Sequence, residues 1–330
     1  MLTAVASIGA PACSSEPPAP TTGGPIAIEA FREELEVARC ELAVRCGFMP
    51  NQDTCRDVLS EDQELLQLLA DVVFNKVSFD EAAARTCVDA IRAQSCETLS
   101  AVFKAVETAC AGVFTGSVAE GGACLVDDEC TGDADCDVSM CMGDGVCCMG
   151  VCAKPPALVP VGGDCSKSPC VEAAYCETMD DGMGGITGTC KARVTNGQPC
   201  NYVDACEEGL RCDLGGEGNC YTLAKEGQSC NPNLQNGACL RVDYWCSTTD
   251  KKCSKLPMPG EPCTDKMACV GHAYCDGVTC QVRALEGQDC KTDGSGAPCL
   301  GDLECQMDDM LMKSVCRRPQ PASVCVADET

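Results

Sequence analysis

The chain has 330 residues, of which 35 are cysteine and one is histidine, and its formal net charge at pH 7 is −26. So high a cysteine content is typical of a disulfide-stabilised protein from an oxidising compartment. The negative charge excludes nucleic-acid binding, because that affinity depends on Lys and Arg side chains that neutralise phosphates. The sequence has neither close C-x-x-C pairs nor interleaved histidines, so we predict no metal site and no cofactor.

The N-terminal segment "MLTAVASIGAPAC" is apolar and ends at Cys13, and the residues after it are rich in Ser, Pro, Thr and Gly. A segment of that composition stays disordered and acts as a tether. The apolar segment resembles the lipobox of bacterial lipoproteins at Ala12 and Cys13, although Ala10 replaces the usual Leu and Pro11 is unusual in that motif. The resemblance implies that Cys13 is lipidated and becomes the mature N-terminus. Alternatively, an ordinary signal peptide is cut and Cys13 is removed with it.

The first folded region, residues 26–115, is predicted to be helical because apolar residues recur in it at spacings of three and four. One stripe lies on a helix that begins near Pro25, and another lies near the end of the region. Their members are Ile28, Phe31, Leu35, Ala38 and Leu42 in the first stripe, and Leu99, Val102, Phe103 and Val106 in the other.

Two capping-box patterns mark the starts of further helices in this region, namely Ser60 with Gln63 and Ser78 with Glu81. The region is therefore predicted to contain four short amphipathic helices around one small core. Its six cysteines are Cys40, Cys46, Cys55, Cys87, Cys96 and Cys110. Spacing does not choose among their pairings, and we interpret them as disulfides that staple the helices together.

Beyond residue 116 the sequence repeats a short motif six times. The motif reads "EGGAC", "VGGDC", "NGQPC", "EGQSC", "PGEPC" and "EGQDC". It ends at Cys124, Cys165, Cys200, Cys230, Cys263 and Cys290. The glycine that stands three residues before each of these cysteines predicts either a turn with positive φ or close packing against a neighbouring strand.

Each of the last five motifs is followed by three more cysteines. The resulting units contain Cys165, Cys170, Cys176 and Cys190; Cys200, Cys206, Cys212 and Cys220; Cys230, Cys239, Cys246 and Cys253; Cys263, Cys269, Cys275 and Cys280; and Cys290, Cys299, Cys305 and Cys316. A unit of about 30 residues is too small for a sufficient hydrophobic core, so disulfides must stabilise it. We favour pairing first with third and second with fourth cysteine, because an interlocked pair ties the whole unit together.

The first unit is richer in cysteine and contains Cys124, Cys130, Cys136, Cys141, Cys147, Cys148 and Cys152. Its adjacent cysteines and their short gap to the last one resemble the Dickkopf N-terminal cysteine-rich domain. The helical region and the repeats together resemble cysteine-rich lipoproteins of myxobacteria, a family without an established activity. Animal Dickkopf proteins bind receptors through such domains, but no receptor-contacting residue carries over to this chain.

Seven cysteines leave one of the first unit unpaired, and Cys325 near the C-terminus is also left over. The two pair with each other, or Cys325 pairs locally and shifts one bond between units. A free or intermolecular Cys325 is the third alternative.

Two groups of polar residues are candidates for chemistry. Asp133, Asp135 and Asp137 alternate as at the start of an EF-hand loop, but the later glycine and glutamate of that loop are missing. We therefore favour a solvated acidic loop over a calcium site. His272 is interpreted as a surface histidine rather than a catalytic base, because the cysteines near it belong to the disulfide frame.

Aromatic residues stand just before the third cysteine in three of the units. They are Tyr175, Tyr244, Trp245 and Tyr274. We interpret them as shields of the disulfides, and a binding ridge is the alternative, since Tyr and Trp favour interfaces.

The predicted fold class is a small disulfide-rich repeat array with short β-hairpins and little other regular structure, preceded by a small disulfide-stapled α-helical domain. The predicted segments are a signal or lipobox-like segment (1–13), a disordered tether (14–25), the four-helix domain (26–115), the Dickkopf-like unit (116–158) and five further repeats with a C-terminal tail (159–330). No apolar run approaches the length of about 20 residues that a membrane span needs.

These features predict a non-enzymatic, lipid-tethered rod of stapled modules that displays a binding or structural surface. Its expected location is outside the cytoplasm, either secreted or at the outer membrane or cell surface as a lipoprotein. Its expected partner is an extracellular or envelope protein or polysaccharide, and its only membrane contact is the lipid anchor. The alternative is a secreted inhibitor or protein cofactor of an extracellular enzyme.

Overall fold

The computed structural model describes residues 23–59, 62–139, 149–180, 186–214, 217–234, 238–263, 269–290, 296–308 and 313–319. Helices come first, and short antiparallel hairpins with many disulfides follow them, which confirms the predicted fold class. Five cysteines lie outside the described residues, so their predicted roles stay predictions: Cys13, Cys141, Cys147, Cys148 and Cys325.

The helical domain contains five α-helices and one small antiparallel sheet among its described residues. The helices are α1 (Ile28–Arg45), α2 (Gln52–Val58), α3 (Gln63–Val73), α4 (Glu81–Ala93) and α5 (Ser100–Cys110), and the paired strands are β1 (Val77–Phe79) and β2 (Phe114–Gly116). The prediction of four helices missed α2, because its 7 residues are too few to show an apolar stripe.

Aspartate side chains begin two of these helices, at positions that differ from the predicted caps. Asp62 accepts a hydrogen bond from the backbone amide of Leu65 (3.1 Å) at the start of α3. Asp80 accepts two such bonds (2.8 and 2.9 Å) from the first turn of α4. The predicted cap Ser78 is wrong, since Ser78 lies in β1 and aspartate caps a helix equally well. Ser60 lies outside the described residues.

The core of the helical domain is built around three phenylalanines. The ring centroids of Phe31, Phe79 and Phe114 lie 5.3 to 5.9 Å apart. In the apolar stripe of α1, Phe31, Leu35 and Ala38 are buried as predicted, while Ile28 and Leu42 are only partly buried. The stripe predicted for α5 is wrong at Phe103, which is 49 % exposed. Helix α5 therefore covers the core only partly.

Three disulfides join the helices of this domain. They are Cys40–Cys55 between α1 and α2, Cys46–Cys96 between the ends of α1 and α4, and Cys87–Cys110 between α4 and α5. These bonds connect elements that lie up to 50 residues apart in sequence. They stabilise a core that is small for its length of chain.

Each cysteine-rich unit is centred on a short antiparallel sheet. The first unit has strands β3 (Ala123–Cys124), β4 (Asp135–Asp137) and β5 (Gly150–Ala153) in the order β3-β5-β4, with a 3-10 helix at Asp127–Glu129. The five later hairpins are β6 (Ala174–Asp180) with β7 (Ile186–Ala192), β8 (Leu210–Cys212) with β9 (Cys220–Thr222), β10 (Tyr244–Cys246) with β11 (Cys253–Lys255), β12 (Ala273–Cys275) with β13 (Cys280–Val282), and β14 (Glu304–Asp308) with β15 (Lys313–Arg317).

The disulfides of the units follow the predicted interlocked pattern. The first-to-third bonds are Cys165–Cys176, Cys200–Cys212, Cys230–Cys246, Cys263–Cys275 and Cys290–Cys305. The second-to-fourth bonds are Cys170–Cys190, Cys206–Cys220, Cys239–Cys253, Cys269–Cys280 and Cys299–Cys316. The first unit has the equivalent bonds Cys124–Cys136 and Cys130–Cys152. The third and fourth cysteines face each other across each hairpin, so both bonds lie on one face of it.

The glycine of the repeated motif forms a turn in every unit. The residues are Gly121, Gly162, Gly197, Gly227, Gly260 and Gly287, with φ between 70° and 89°. A side chain at these positions would meet nothing within 4 Å, so the positive φ, and not close packing, requires glycine. The glycine amide donates a hydrogen bond of 2.7 to 2.9 Å to the carbonyl oxygen of the last cysteine in the unit. The turn therefore closes the unit onto its own hairpin.

All six units contact the helical domain, so the predicted separate rod is wrong. The first three do so through polar side chains: Lys76 with Glu129 (3.1 Å), Lys104 with Glu172, and the Ser100 hydroxyl with Glu208 (3.3 Å). The ion pairs join the turn between α3 and β1 to the first unit, and α5 to the second unit. The third unit meets the start of α5.

The last three units contact the helical domain through backbone groups and apolar side chains. The amide of Thr98 donates to Leu240 O (2.9 Å), and the amide of His272 donates to Gly47 O (3.2 Å). In the last unit, Leu300 and its neighbours pack with α1 and α2 in one buried cluster. A four-cysteine unit cannot bury such apolar side chains by itself, and the helical domain provides the surface that covers them.

Candidate binding groove

A groove of about 600 Å³ lies in the helical domain, which is within the size range of ligand sites. All its helices except α2 contribute side chains to it. Its partly exposed apolar lining includes Leu42 of α1, Val106 of α5 and Phe114 of β2. The groove exists because α5 covers the core incompletely, and no side chain of α5 is fully buried. The result is an apolar floor that water reaches from one side.

Charged side chains line the edge of this groove. The acidic residues are Asp62, Glu64, Glu107 and Asp128, and Arg39 is the basic one. The guanidinium of Arg39 pairs with Asp62 at 2.9 Å. Within the described part of the chain, the other three carboxylates form no ion pair at this edge. The groove therefore combines an apolar floor with an acidic edge that carries a net negative charge.

Two of the carboxyl groups at this edge have a raised pKa. Burial raises the pKa of Glu64, and the neighbouring carboxylates of Asp128, Asp62 and Asp127 raise it further. Burial also raises the pKa of Asp128, with a smaller contribution from Asp127. A positive charge placed between these groups would relieve their repulsion and favour their ionised forms.

A buried pair of carboxyls lies behind the same edge and joins α3 to the first cysteine-rich unit. Asp71 and Glu129 are 1 % and 0 % exposed. Gln67 donates to both carboxyl oxygens of Asp71 (3.1 and 3.2 Å), and Lys76 pairs with Glu129. Burial, followed by the hydrogen bond and charge of Glu129, raises the pKa of Asp71 to about 6. The 3-10 helix that carries Glu129 also carries Asp128, so this pair positions part of the groove edge.

A second cavity of about 430 Å³ lies between the start of α5 and the third unit. Its lining is more polar and includes Thr98, Glu207 and Arg193. The guanidinium of Arg193 donates to the carbonyl oxygens of Asp204 (2.9 Å) and Cys206 (3.2 Å). Arg193 therefore holds a loop of the unit, and Arg211 is a second basic residue of the lining.

His272 is buried, with 5 % of its surface exposed, and the prediction of a surface histidine is wrong. Its Nδ1 lies 2.9 Å from the carbonyl oxygen of Gly47, which also accepts the backbone amide of His272. The histidine therefore attaches the fifth unit to the loop after α1. Sequence reasoning missed this role because the partner lies 225 residues away.

The aromatic residues that were interpreted as disulfide shields have different surroundings. Tyr175 is buried, and its ring lies 5.7 Å from that of Tyr202. Trp245 packs against a buried cluster that includes the Cys269–Cys280 pair of the next unit. Arg241 lies over the ring of Tyr244, 5.3 Å from its centroid. The shielding interpretation therefore fits Trp245, which packs against disulfide-bonded cysteines, whereas Tyr175 packs against another tyrosine and Tyr244 against Arg241.

Cysteine sulfurs also gather in groups of three, as metal ligands do. One such group is Cys124, Cys130 and Cys152, whose sulfurs lie within 4.8 Å of one another. These cysteines are bonded in disulfides and have no thiolate to offer a metal.

Asp135 and Asp137, the candidate calcium ligands, are exposed on β4. Hydrogen bonds from Ser139 lower the pKa of Asp137.

Little in the amino-acid sequence indicates the groove. Glu64 and Asp128 belong to a chain with 50 acidic residues, where single carboxylates are usually solvated. Asp71 does carry a signal, since it interrupts the apolar run "LLQLLADVVF" within a helix. A charged residue within such a run is an indication of a buried partner.

No protein-family model matches the chain, and no curated protein or solved structure matches it either. Among the described residues, no helix has both the length and the apolar character needed to cross a membrane. The groove is therefore assigned from its geometry and charge.

Proposed function

We propose that this protein is a non-enzymatic binding scaffold that acts outside the cytoplasm, where the cysteine-rich units support the helical domain and the helical domain presents its groove. The observation that carries this proposal is that all six units contact the helical domain. Because every unit packs on the helical domain, the units are better suited to supporting that domain than to acting as separate binding modules. The fifteen disulfides among the described residues require an oxidising compartment.

The proposal includes a lipid anchor at Cys13. The lipobox-like residues before it and the Ser-, Pro- and Gly-rich residues after it support this anchor. Among the described residues that follow this stretch, Gly24 has a carbonyl oxygen that accepts a hydrogen bond from Arg85 (3.0 Å). A tether of about ten residues would let the fold stand up to about 35 Å from a membrane surface.

The proposal also includes kinship with secreted Dickkopf-like modules and an extracellular or envelope protein as the partner. The cysteine pattern of the first unit supports the kinship. The burial of His272 supports a non-enzymatic role, because only 5 % of its surface is accessible and a catalytic base has to reach its substrate.

The location is tested in the organism that encodes the chain. Wild-type protein and the Cys13→Ser variant are followed in membrane, envelope and medium fractions, with a membrane-impermeant label on intact cells. We expect the wild type to be labelled and retained on the membrane, and the variant to be released. Wild-type protein that is unlabelled and cytoplasmic would contradict the proposal. Inhibition or activation in a panel of extracellular hydrolases would favour the inhibitor or cofactor role instead.

A further inference from the structure

We infer that the groove of the helical domain binds a basic amphipathic helix of a partner protein, with the apolar face of that helix on the floor and its Lys or Arg side chains at the acidic edge. This inference rests on the proposed function, since it names the ligand class of the proposed scaffold. It is carried by the apolar lining of the groove and by the charge around it.

The floor of the groove supports an apolar ligand. Leu42, Val106 and Phe114 pack against the buried core and remain partly exposed towards the groove. They come from α1, α5 and β2, so several elements contribute to the apolar lining and it is not a single exposed side chain. A groove between helices is one of the recurring sites for an amphipathic helix, whose apolar side chains recur every three or four residues.

The edge of the groove supports a positively charged ligand. Arg39 is already paired with Asp62, which leaves Glu64, Glu107 and Asp128 as the remaining charged residues of the edge. The carboxylate of Asp128 is close enough to Glu64 to destabilise the ionised form of Glu64. A Lys or Arg side chain of the ligand would replace this repulsion with attraction.

Charge also argues against two other occupants. A second copy of the chain would bring a net charge of −26 to an acidic groove. Residues 1–22 of the same chain include apolar side chains but contain no Lys or Arg, and their charged side chain is Glu16. Neither occupant supplies the positive charge that the edge favours.

The test uses the full-length oxidised protein and a synthetic helical peptide of about 18 residues, a length at which such peptides hold partial helix. The peptide carries Leu on one face and Lys on the other, and binding is followed by fluorescence anisotropy. A Lys/Ser peptide has the same charge without the apolar face, and a Leu/Glu peptide has the apolar face with the opposite charge. The rim variant is Glu64→Gln with Asp128→Asn, and the matched control variant is Asp133→Asn with Asp135→Asn.

We expect the Leu/Lys peptide to bind the wild type and the control variant alike, and the rim variant about tenfold more weakly at low ionic strength. Circular dichroism of each variant verifies that the helices persist. If the Lys/Ser peptide binds as tightly as the Leu/Lys peptide, the attraction is a nonspecific one to an acidic protein and the inference is overturned. Equal affinity of the rim and control variants, or tight binding of the Leu/Glu peptide, would also overturn it.

Failure of this inference can be told apart from failure of the proposed function. If the protein is extracytoplasmic and oxidised but none of the peptides binds, the ligand class is wrong and the scaffold stands. If it is cytoplasmic with free thiols, the scaffold itself is wrong, whatever the peptides do.

Discussion

Replacement of Asp71 by asparagine should remove a large part of the pH dependence of the helical domain's stability. In the folded protein Asp71 is buried against Glu129, with Gln67 and Lys76 as its other polar neighbours. Burial first, and then Glu129, raise the pKa of Asp71 from 3.8 to about 6. Between these two values the folded state holds a proton that the unfolded state has released. The stabilisation is therefore complete below about pH 4 and is lost as the pH rises through about 6.

The size of the effect follows from the difference in pKa. About two pKa units correspond to about 3 kcal/mol in the free energy of unfolding. Asp71→Asn replaces the carboxyl group by an amide, which can donate to Glu129 as the protonated carboxyl does but does not titrate. We therefore expect the stability of the variant relative to wild type to rise by about 3 kcal/mol between pH 4 and pH 7.5.

The assay is guanidinium chloride unfolding of the oxidised protein at several pH values, followed by circular dichroism of the helices. All α-helices among the described residues belong to the helical domain, so this signal reports on the part that contains Asp71. The control is Asp57→Asn, which removes an exposed carboxylate from α2. If the free energies of unfolding of Asp71→Asn and wild type differ by the same amount at every pH, to within about 0.5 kcal/mol, the buried carboxyl pair does not have the effect assigned to it.

Further predictions concern backbone turns, docking contacts and disulfides. Gly116→Ala places a Cβ 2.3 Å from the backbone of the first unit. We therefore expect the free energy of unfolding to fall by more than about 2 kcal/mol and proteolysis after β2 to become faster. Unchanged stability would contradict this close approach. Gly227→Ala should cost about 1 kcal/mol because of its positive φ, and Gly227→Asn should cost less; equal midpoints of thermal unfolding in both variants would argue against the turn strain. His272→Ala should cost about 1–3 kcal/mol and speed hydrogen exchange in the fifth unit, whereas an exposed histidine would leave both unchanged. Removal of Cys46 and Cys96 together should cost about 4 kcal/mol, since their bond closes a loop of 50 residues; a cost near zero would mean that the bond is dispensable.

Features set by short stretches of chain were predictable from the sequence. The interlocked disulfides and the glycine turn depend on residues within one unit of about 30 residues. The stripe of α1 depends on residues three or four positions apart, and Phe31 and Leu35 are buried as it predicts. In such cases the residues that determine the local structure lie close together in sequence, so their spacing is enough to predict it.

Features set by distant contacts were not predictable in this way. The units are small and stapled, which indicated a tethered rod of modules, but Leu300 and its neighbours are buried against α1 and α2. His272 depends on a carbonyl group 225 residues earlier, and Asp71 depends on Glu129 of another domain. The groove itself arises because Phe103 faces solvent and α5 leaves part of the core uncovered. A single sequence does not encode such long-range choices in its local pattern.

The most direct test of an oxidised extracytoplasmic scaffold is the disulfide map of the protein isolated from its native host without reduction. Free thiols are blocked at lysis, the protein is digested, and the cross-linked peptides are identified by mass spectrometry. We expect first-to-third and second-to-fourth bonds in each four-cysteine unit, together with Cys40–Cys55, Cys46–Cys96 and Cys87–Cys110 in the helical domain. Thiols in these positions that are blocked before reduction, or a bound metal ion that protects them, would contradict it.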